Sequence, residues 1–189
     1  MLLGHRYVFI AMWVGYFAYW QVVSKNVKAT ERREPRASSL IRLALIIGSV
    51  LLWVGWIPIP FLNRQFVPEG EWCFWAGAAI TACGLLFSIW ARRHLGANWS
   101  RAVSVKKDHE LITSGPYALV RHPIYTGLLT AMVGCALSLG KWRGIVALVL
   151  VFVALWRKLS LQERWMREQF GETYEAYSRR VKALVPFVV

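Results

Sequence analysis

Five apolar stretches, separated by polar and basic segments, set the strongest limit on how this chain can fold. No Asp, Glu, Lys or Arg occurs in the middle of any of them. A helix that crosses a bilayer needs about 20 mostly apolar residues, and backbone in lipid must satisfy its hydrogen bonds internally. The sequence therefore predicts an all-α integral membrane protein with about five transmembrane helices. The predicted helices span 7–23, 40–57, 72–90, 123–139 and 144–156.

Composition supports this prediction. Hydrophobic residues make up 57% of the 189 residues and charged residues only 17%, whereas a soluble domain carries about 25% charged residues. Several of the 11 Trp lie near the ends of the apolar stretches, where Trp favours the membrane interface. The net charge of +13 is assigned to loops at the membrane surface, with anionic lipid headgroups as partners. No nucleic-acid partner is predicted.

The distribution of Lys and Arg predicts the orientation in the membrane. Six lie in 24–42, six in 91–123 and seven from residue 157 onward, against four on the opposite side. Because basic residues collect in cytoplasmic loops, the N-terminus is expected outside and the C-terminus in the cytoplasm. The first stretch has no cleavage pattern after it and is expected to remain as a helix. Short loops and compact length favour a bacterial inner membrane over the endoplasmic reticulum.

The chain is expected to divide into two functional parts. Residues 1–90 would form three transmembrane helices, and 91–189 a catalytic core with a cofactor-binding segment, two more helices and a C-terminal helix. The segment "GKWRG" at 140–144 allows only a tight turn, so the last two transmembrane helices should form a hairpin. The polar tail from Leu159 is predicted to be a cytoplasmic amphipathic helix, broken or bent at Gly171.

Several smaller features carry structural predictions. A strand is predicted at 103–105 and a turn at 106–109, and His94 and His109 are expected at the surface. The fourth helix has a small-residue face suited to close helix packing, formed by Gly127, Ala131 and Cys135. The three cysteines lack a C-x-x-C pair or zinc-like spacing. We predict that Cys73, Cys83 and Cys135 are small buried residues and that the chain carries no metal site.

The triplet Arg121-His122-Pro123 stands where the fourth helix begins. Proline is favoured at the first helical position, which places His122 near the N-cap and Tyr125 in the first turn. Free N–H groups and the helix dipole make such an end an anion site, and Arg121 adds a charge. The alternative is that Arg121 reaches to the interface, His122 only caps the helix, and Tyr125 belongs to the interfacial aromatic belt.

The tail offers a second group of polar residues. Glu163 lies just past the fifth apolar stretch, and the hairpin should bring it toward Arg121 and His122. Helical spacing places the tail residues on two successive faces, the first with Glu163, Arg167 and Phe170 and the second with Tyr174, Tyr177 and Val181. The alternative is an interfacial helix whose Arg residues contact lipid phosphates.

Three elements, "LGANWS", "LITSGPYALVRHPIYTG" and "ERWMREQFGETYEAYSRRVKALVP", occur in this order from Leu95 onward. In them the chain resembles the isoprenylcysteine carboxyl methyltransferase and phospholipid methyltransferase family of integral membrane enzymes. The middle element is long and specific, and the outer two are weaker alone. The first two predicted helices show no match. One departure is Gln162, which stands beside Glu163 where family members often have a second acid.

The resemblance implies S-adenosylmethionine as methyl donor and a lipophilic or prenylated acceptor that enters from the bilayer. The acceptor would be an isoprenylcysteine-like carboxylate or a lipid headgroup. By motif match, Arg121, Glu163 and Arg180 would serve at the reacting end. The cofactor would be held by the side chains or backbone of Val105, Leu111, Gly115, Tyr117, His122, Tyr125 and Glu163.

The residues suit this donor chemically. Its zwitterionic part fits His122 and Glu163, and its sulfonium is drawn to aromatic faces such as Tyr117 and Tyr125. A carboxylate acceptor needs no base and suits Arg121 as a bidentate partner, whereas an amine must arrive neutral, where Glu163 would help.

Two other classes of function remain open. A sterol-reductase-like membrane enzyme would use NADPH, with Arg101, Lys106 and Lys107 at the extra phosphate. This alternative rests on shared architecture, which is a weak basis for function. A non-enzymatic membrane scaffold or transporter subunit is the other alternative, although the mid-span charges typical of transporters are absent.

Overall fold

The structure is a computed structural model of the chain. It describes residues 3–23, 30–33, 36–56, 58–68, 70–96, 104–106 and 111–186. The predicted turn residues 107–109, with His109, and residues 97–100 of the "LGANWS" element lie outside this part of the chain.

Five α-helices appear in the described residues, in the predicted order. They are α1 (Leu3–Val23), α2 (Arg36–Val54), α3 (Glu71–Leu95), α4 (Pro123–Leu139) and α5 (Trp142–Arg180). The start of α4 at Pro123, with His122 as N-cap, is confirmed. The predicted hairpin of the last two helices is also confirmed, because only two residues separate α4 from α5.

Three of these helices, α2, α3 and α5, are long and apolar enough to cross a membrane. The apolar parts of α1 and α4 cover Tyr7–Val23 and Pro123–Leu139 and are shorter. The membrane character of the helices is therefore confirmed by length and composition, and a count of five crossings stays a prediction.

The expectation of an all-α chain is incomplete, because the described residues also contain two short strands. Strand β1 (Thr30–Arg33) pairs antiparallel with β2 (Ser104–Lys106), and Arg32 lies opposite Val105. The strand predicted at 103–105 is thus present with a shift of one residue, whereas β1 lies in a segment predicted to be a loop. Pairing gives both polar segments backbone hydrogen-bond partners. It also joins the α1–α2 connection to the α3–α4 connection.

The tightest helix packing is between α3 and α4. A Cβ atom at Gly84 would lie 2.5 Å from the carbonyl oxygen of Gly127 and 2.5 Å from the amide nitrogen of Ala131. The predicted small-residue face of α4 is confirmed, because Gly127, Ala131 and Cys135 are buried. Helix α1 packs on α3, and α5 packs on α4 and α2. The expectation for cysteine is wrong at Cys83, which is exposed, because it lies on a face of α3 turned outward.

Helix α5 corrects the predicted end of the fifth span. The prediction ended that helix at Trp156 and placed a separate helix in the tail, but the helix continues past Trp156 as far as the bend at Gly171, and a second helical segment follows to Arg180. The apolar run does end before Arg157, yet Arg and Lys are good helix formers, so the helix continues beyond the apolar part. The predicted bend at Gly171 is confirmed by backbone angles of φ 51° and ψ −127°.

Candidate active site

The backbone at the start of α4 is bonded to the C-terminal segment of the chain. The amide of Arg121 donates to the carbonyl of Lys182 at 2.8 Å, and that of His122 to the carbonyl of Ala183 at 3.0 Å. These two amides precede the first turn of α4, so an anion site at the N–H groups of that turn stays a prediction. The two bonds fix the C-terminal segment against the start of α4.

Arg121 and Glu163 form a bidentate pair, which confirms that the hairpin brings them together. Arg121 donates from Nε to Glu163 Oε1 at 2.9 Å and from Nη2 to Oε2 at 3.0 Å. Its Nη1 donates to the carbonyls of Ser178, at 3.0 Å, and Val181. Both side chains are largely buried, with exposed fractions of 11% and 6%. The guanidinium thus links the segment just before α4 to Glu163 and Ser178 in α5 and to Val181 just after it.

The Glu163 carboxylate is the centre of the site. Besides the two bonds from Arg121, it accepts from His122 Nε2 at 2.8 Å, Tyr174 Oη at 2.7 Å and Arg167 Nη2 at 3.2 Å. A carboxylate offers about four lone-pair positions. Five donors from four side chains therefore use its whole capacity.

The electrostatics of the site follow from this arrangement. Glu163 lies beyond Arg157 and Lys158, outside the apolar part of α5. Burial alone would raise the pKa of Glu163, but the hydrogen bonds from His122 and Arg121 outweigh it and lower that pKa to about 2. Burial lowers the pKa of His122, so its imidazole is neutral at pH 7. Because an ionised carboxylate only accepts, His122 must donate from Nε2.

Aromatic rings continue the site along α4. The rings of His122 and Tyr125 are nearly parallel, with centroids 5.6 Å apart and an angle of 3°. Tyr125 donates from its hydroxyl to Gln162 Oε1 at 2.6 Å, and the Lys158 ammonium lies 5.4 Å from its ring centroid. The residue that departs from the expected acid, Gln162, thus holds Tyr125 in place.

The other predicted site residues lie around this centre. Tyr117 is buried, and its carbonyl accepts from the Tyr177 hydroxyl at 2.6 Å. Leu111 packs against a buried cluster that includes Tyr177. Val105 belongs to β2. Arg180 is exposed at the end of α5, and among the described residues no hydrogen bond or ion pair joins it to Arg121 or Glu163.

Gly115 is positioned by a residue outside the predicted set. His94 is exposed, as expected, but its Nε2 lies 2.9 Å from Ser114 Oγ and its ring stacks on Tyr117 with centroids 6.4 Å apart. A Cβ on Gly115 would lie 2.7 Å from the ring carbon Cε1 of His94, and its φ is 59°. Only glycine fits both conditions without strain.

Sequence reasoning placed Tyr174 on a helix face but did not assign it to the site, where its hydroxyl donates to Glu163. The signal that could have found it is the bend predicted at Gly171, because a helix that turns back there can return Tyr174 to Glu163.

The arrangement can hold and orient a polar ligand beside aromatic rings. It combines an ionised buried acid, a neutral His and the rings of Tyr117 and Tyr125. In the described part of the chain, no group of three or more His, Cys, Asp or Glu residues could hold a metal ion.

Comparison with known proteins identifies the family. Residues 72–173, more than half of the chain, match the model of the phospholipid methyltransferase family. The chain belongs to this family, and the resemblance found in the sequence is confirmed. The matched region runs from α3 to just past the bend in α5 and contains Arg121, His122 and Glu163.

Individual relatives carry related names. The chain is 33% identical over 99 residues to a protein-S-isoprenylcysteine O-methyltransferase of Schizosaccharomyces pombe, covering 49% of this chain and 41% of the relative. It is 37% identical over 90 residues to a probable protein-S-isoprenylcysteine O-methyltransferase of Oryza sativa, covering 46% of each. The rat protein-S-isoprenylcysteine O-methyltransferase is 32% identical over 137 residues, covering 67% and 47%.

The matches span less than half of the length of each of these three relatives. Among solved structures, the chain resembles a eukaryotic intramembrane Ras methyltransferase, isoprenylcysteine carboxyl methyltransferase. The TM-score is 0.43 with 18% identity, covering 83% of this chain and 55% of that one.

Proposed function

We propose that the protein is an S-adenosylmethionine-dependent methyltransferase that acts on a lipophilic acceptor in the membrane. The favoured acceptor is the carboxylate of an S-prenylated cysteine, and a lipid headgroup is the second choice. Family membership and the names of the relatives support this proposal. The observation that carries it is that Arg121, His122 and Glu163, from two separate motifs, meet in one buried polar cluster beside Tyr125.

The chemistry of the residues present fits the proposed cofactor. A sulfonium is a cation that favours aromatic faces, and Tyr117 and Tyr125 supply them. We assign His122 to the polar part of the cofactor, together with the backbone at Leu111, Gly115 and Val105. Glu163 belongs to the same set and acts on the ligand through Arg121 and His122, which it holds.

When bound, the cofactor supplies an electrophilic methyl group. The protein's task is then to align the acceptor with that group, and alignment alone can supply a large part of a rate enhancement. A carboxylate acceptor is ionised at pH 7 and needs no base. Arg121 and Arg180 are the cations proposed to face it. Of the two, Arg180 is the exposed one, whereas Arg121 already donates four hydrogen bonds.

We also propose that the site faces the cytoplasm from a bacterial inner membrane, with the N-terminus outside. The unequal distribution of Lys and Arg supports this orientation. In this arrangement residues 1–90 anchor a catalytic core at 91–189, and the basic surface contacts anionic lipid headgroups.

The test is a binding and transfer experiment on detergent-purified protein. Calorimetry measures the affinity for S-adenosylmethionine and, in parallel, for NADPH, in the wild type, His122→Ala and the exposed control Glu172→Ala. Transfer of a labelled methyl group is then measured to an S-farnesylated cysteine and to phosphatidylethanolamine. We expect the wild type to bind S-adenosylmethionine with a Kd in the micromolar range. His122→Ala should raise that Kd at least tenfold, and Glu172→Ala should leave it unchanged. A wild type that binds NADPH alone, or neither compound, would refute the proposal.

A further inference from the structure

A buried tyrosine reaches the centre of the site from an unexpected distance. Tyr174 is only 2% exposed, and its hydroxyl donates to Glu163 Oε1 at 2.7 Å although it lies eleven residues farther along the chain. Eleven residues of straight α-helix cover about 16 Å along the axis, which is farther than a Tyr and a Glu side chain can bridge. The bond therefore requires the helix to turn back.

Gly171 provides this turn. Its φ of 51° and ψ of −127° lie in a region that glycine enters readily and other residues avoid. The segment after the bend returns to the start of α4, where Arg121 donates hydrogen bonds to the carbonyls of Ser178 and Val181. The bend thus places the Tyr174 hydroxyl on a carboxylate that already holds Arg121 and His122.

We propose that Tyr174 is a positioning residue for methyl transfer, acting through Glu163 on Arg121 and His122; this inference rests on the proposed function. Its hydroxyl shares the oxygen Oε1 with Arg121 Nε and His122 Nε2. Three donors around one oxygen fix the carboxylate plane. The plane in turn fixes the guanidinium and the imidazole, which stacks on Tyr125.

The chain contains a matched control for this role. Tyr177 lies in the same buried cluster as Tyr174 and Val181 and is 5% exposed. Its hydroxyl also makes a short bond, 2.6 Å, but to the backbone carbonyl of Tyr117. Removing either hydroxyl costs one buried hydrogen bond, yet only the loss at Tyr174 changes the bonds to Glu163.

The experiment compares Tyr174→Phe with Tyr177→Phe in full-length, detergent-purified protein. Three quantities are measured, namely the thermal midpoint without ligand, the Kd for S-adenosylmethionine, and kcat and KM for an S-farnesylated cysteine. We expect similar midpoints for the two variants. Tyr174→Phe should lower kcat roughly tenfold with KM nearly unchanged, as expected when alignment rather than binding is lost. Tyr177→Phe should leave kcat near the wild-type value.

A double-mutant cycle separates positioning from packing. In a Glu163→Gln background, Tyr174→Phe should cause no further loss of kcat, whereas the effect of Tyr177→Phe should add. A second cycle with His122→Asn, which removes another donor to Oε1, is used where Glu163→Gln does not fold. Equal losses of kcat in the two Phe variants, or additive effects of Tyr174→Phe in the cycle that is measured, would reduce Tyr174 to a packing role. Failure of the proposed function is recognised separately, because then the unmodified protein neither binds the cofactor nor transfers a methyl group, and the inference falls with it.

Discussion

At the scale of single residues, the Arg121–Glu163 pair determines how the site behaves. The partners are nearly buried, and removing one partner of a buried pair leaves the other charge without compensation, at a cost of about 3–5 kcal/mol. The sequence predicted that the two would meet, because the hairpin returns α5 to the start of α4. It could not show that the amides of Arg121 and His122 are occupied, since their acceptors, Lys182 and Ala183, are some sixty positions away.

Glu163→Gln should destabilise the protein in a pH-dependent way. The folded-state pKa of Glu163, about 2, is below its value in the unfolded chain, about 4.3. Its stabilising effect is therefore complete above about pH 5 and is lost as pH falls toward 2. At pH 7 we expect a loss on the order of 3 kcal/mol, and the difference from wild type should shrink in acid. Thermal unfolding in detergent from pH 7 to pH 3 measures this.

The exposed Glu172 provides the control for that series. Glu172→Gln removes an exposed carboxylate, and its thermal midpoint at pH 7 should stay close to that of the wild type. A Glu163→Gln variant whose thermal midpoint lies a constant interval below wild type from pH 7 to pH 3 would show that the Glu163 charge does not stabilise the fold.

At the scale of elements, the contact between α3 and α4 holds the start of α4 against a rigid neighbour. We expect Gly84→Ala to force these helices apart, because the added methyl would meet backbone atoms at 2.5 Å and backbone cannot rotate away. Overpacking of this kind costs about 1–3 kcal/mol. The matched control is Gly15→Ala on α1, where no atom lies within 4 Å of the added Cβ. A lower thermal midpoint for Gly84→Ala, with Gly15→Ala at or above wild type, is the expected result.

The bend in α5 allows a second test at this scale. Gly171→Ala has open space around its Cβ but must keep a positive φ, a sparsely populated conformation that costs a non-glycine residue about 1–3 kcal/mol. Either the bend persists under strain or α5 straightens and withdraws Tyr174 from Glu163. Both cases predict a lower thermal midpoint than in the neighbouring exposed variant Glu172→Ala, and straightening also predicts a lower kcat, because Tyr174 then leaves Glu163. Unchanged values for Gly171→Ala would mean that the bend does not need glycine.

The helices show how far sequence patterns reach. Proline at position 123 and glycine at 171 each act on their own backbone, so the start of α4 and the bend in α5 were predictable. Hydropathy reports where an apolar surface ends, not where a helix ends, so the continuation of α5 past Trp156 was not. Strand β1 was missed for a related reason, because its partner β2 is distant in sequence and neither is long enough to show alternation.

At the scale of the whole molecule, the helices follow each other in space in the order α1, α3, α4, α5 and α2. This order places the α3–α5 region, which the family model matches, between the two helices that lie outside the match. Large apolar side chains on the outward faces are exposed, among them Ile47 on α2 and Phe152 on α5. Such a surface suits lipid. The exposed Trp56, Trp72 and Trp156 lie near the ends of apolar stretches, as interfacial residues do.

The orientation prediction can be tested with fusions in a bacterial host. With five crossings and basic segments inside, a fluorescent protein fused after Val189 should fold in the cytoplasm and fluoresce. Alkaline phosphatase, which is active only outside, should be inactive there but active when fused after Pro68, in the α2–α3 connection. A phosphatase fused at the N-terminus and exported should also be active. This third fusion tests whether α1 crosses the membrane. The other two fusions cannot test it, because they lie on the same sides of the membrane whether or not α1 crosses. An inactive N-terminal fusion with the other results as expected would reduce the crossings to four and leave the site in the cytoplasm. A phosphatase active after Val189 would place the Arg121–Glu163 pair outside, away from any cytoplasmic methyl donor, and would contradict the proposed function at the scale of the whole molecule.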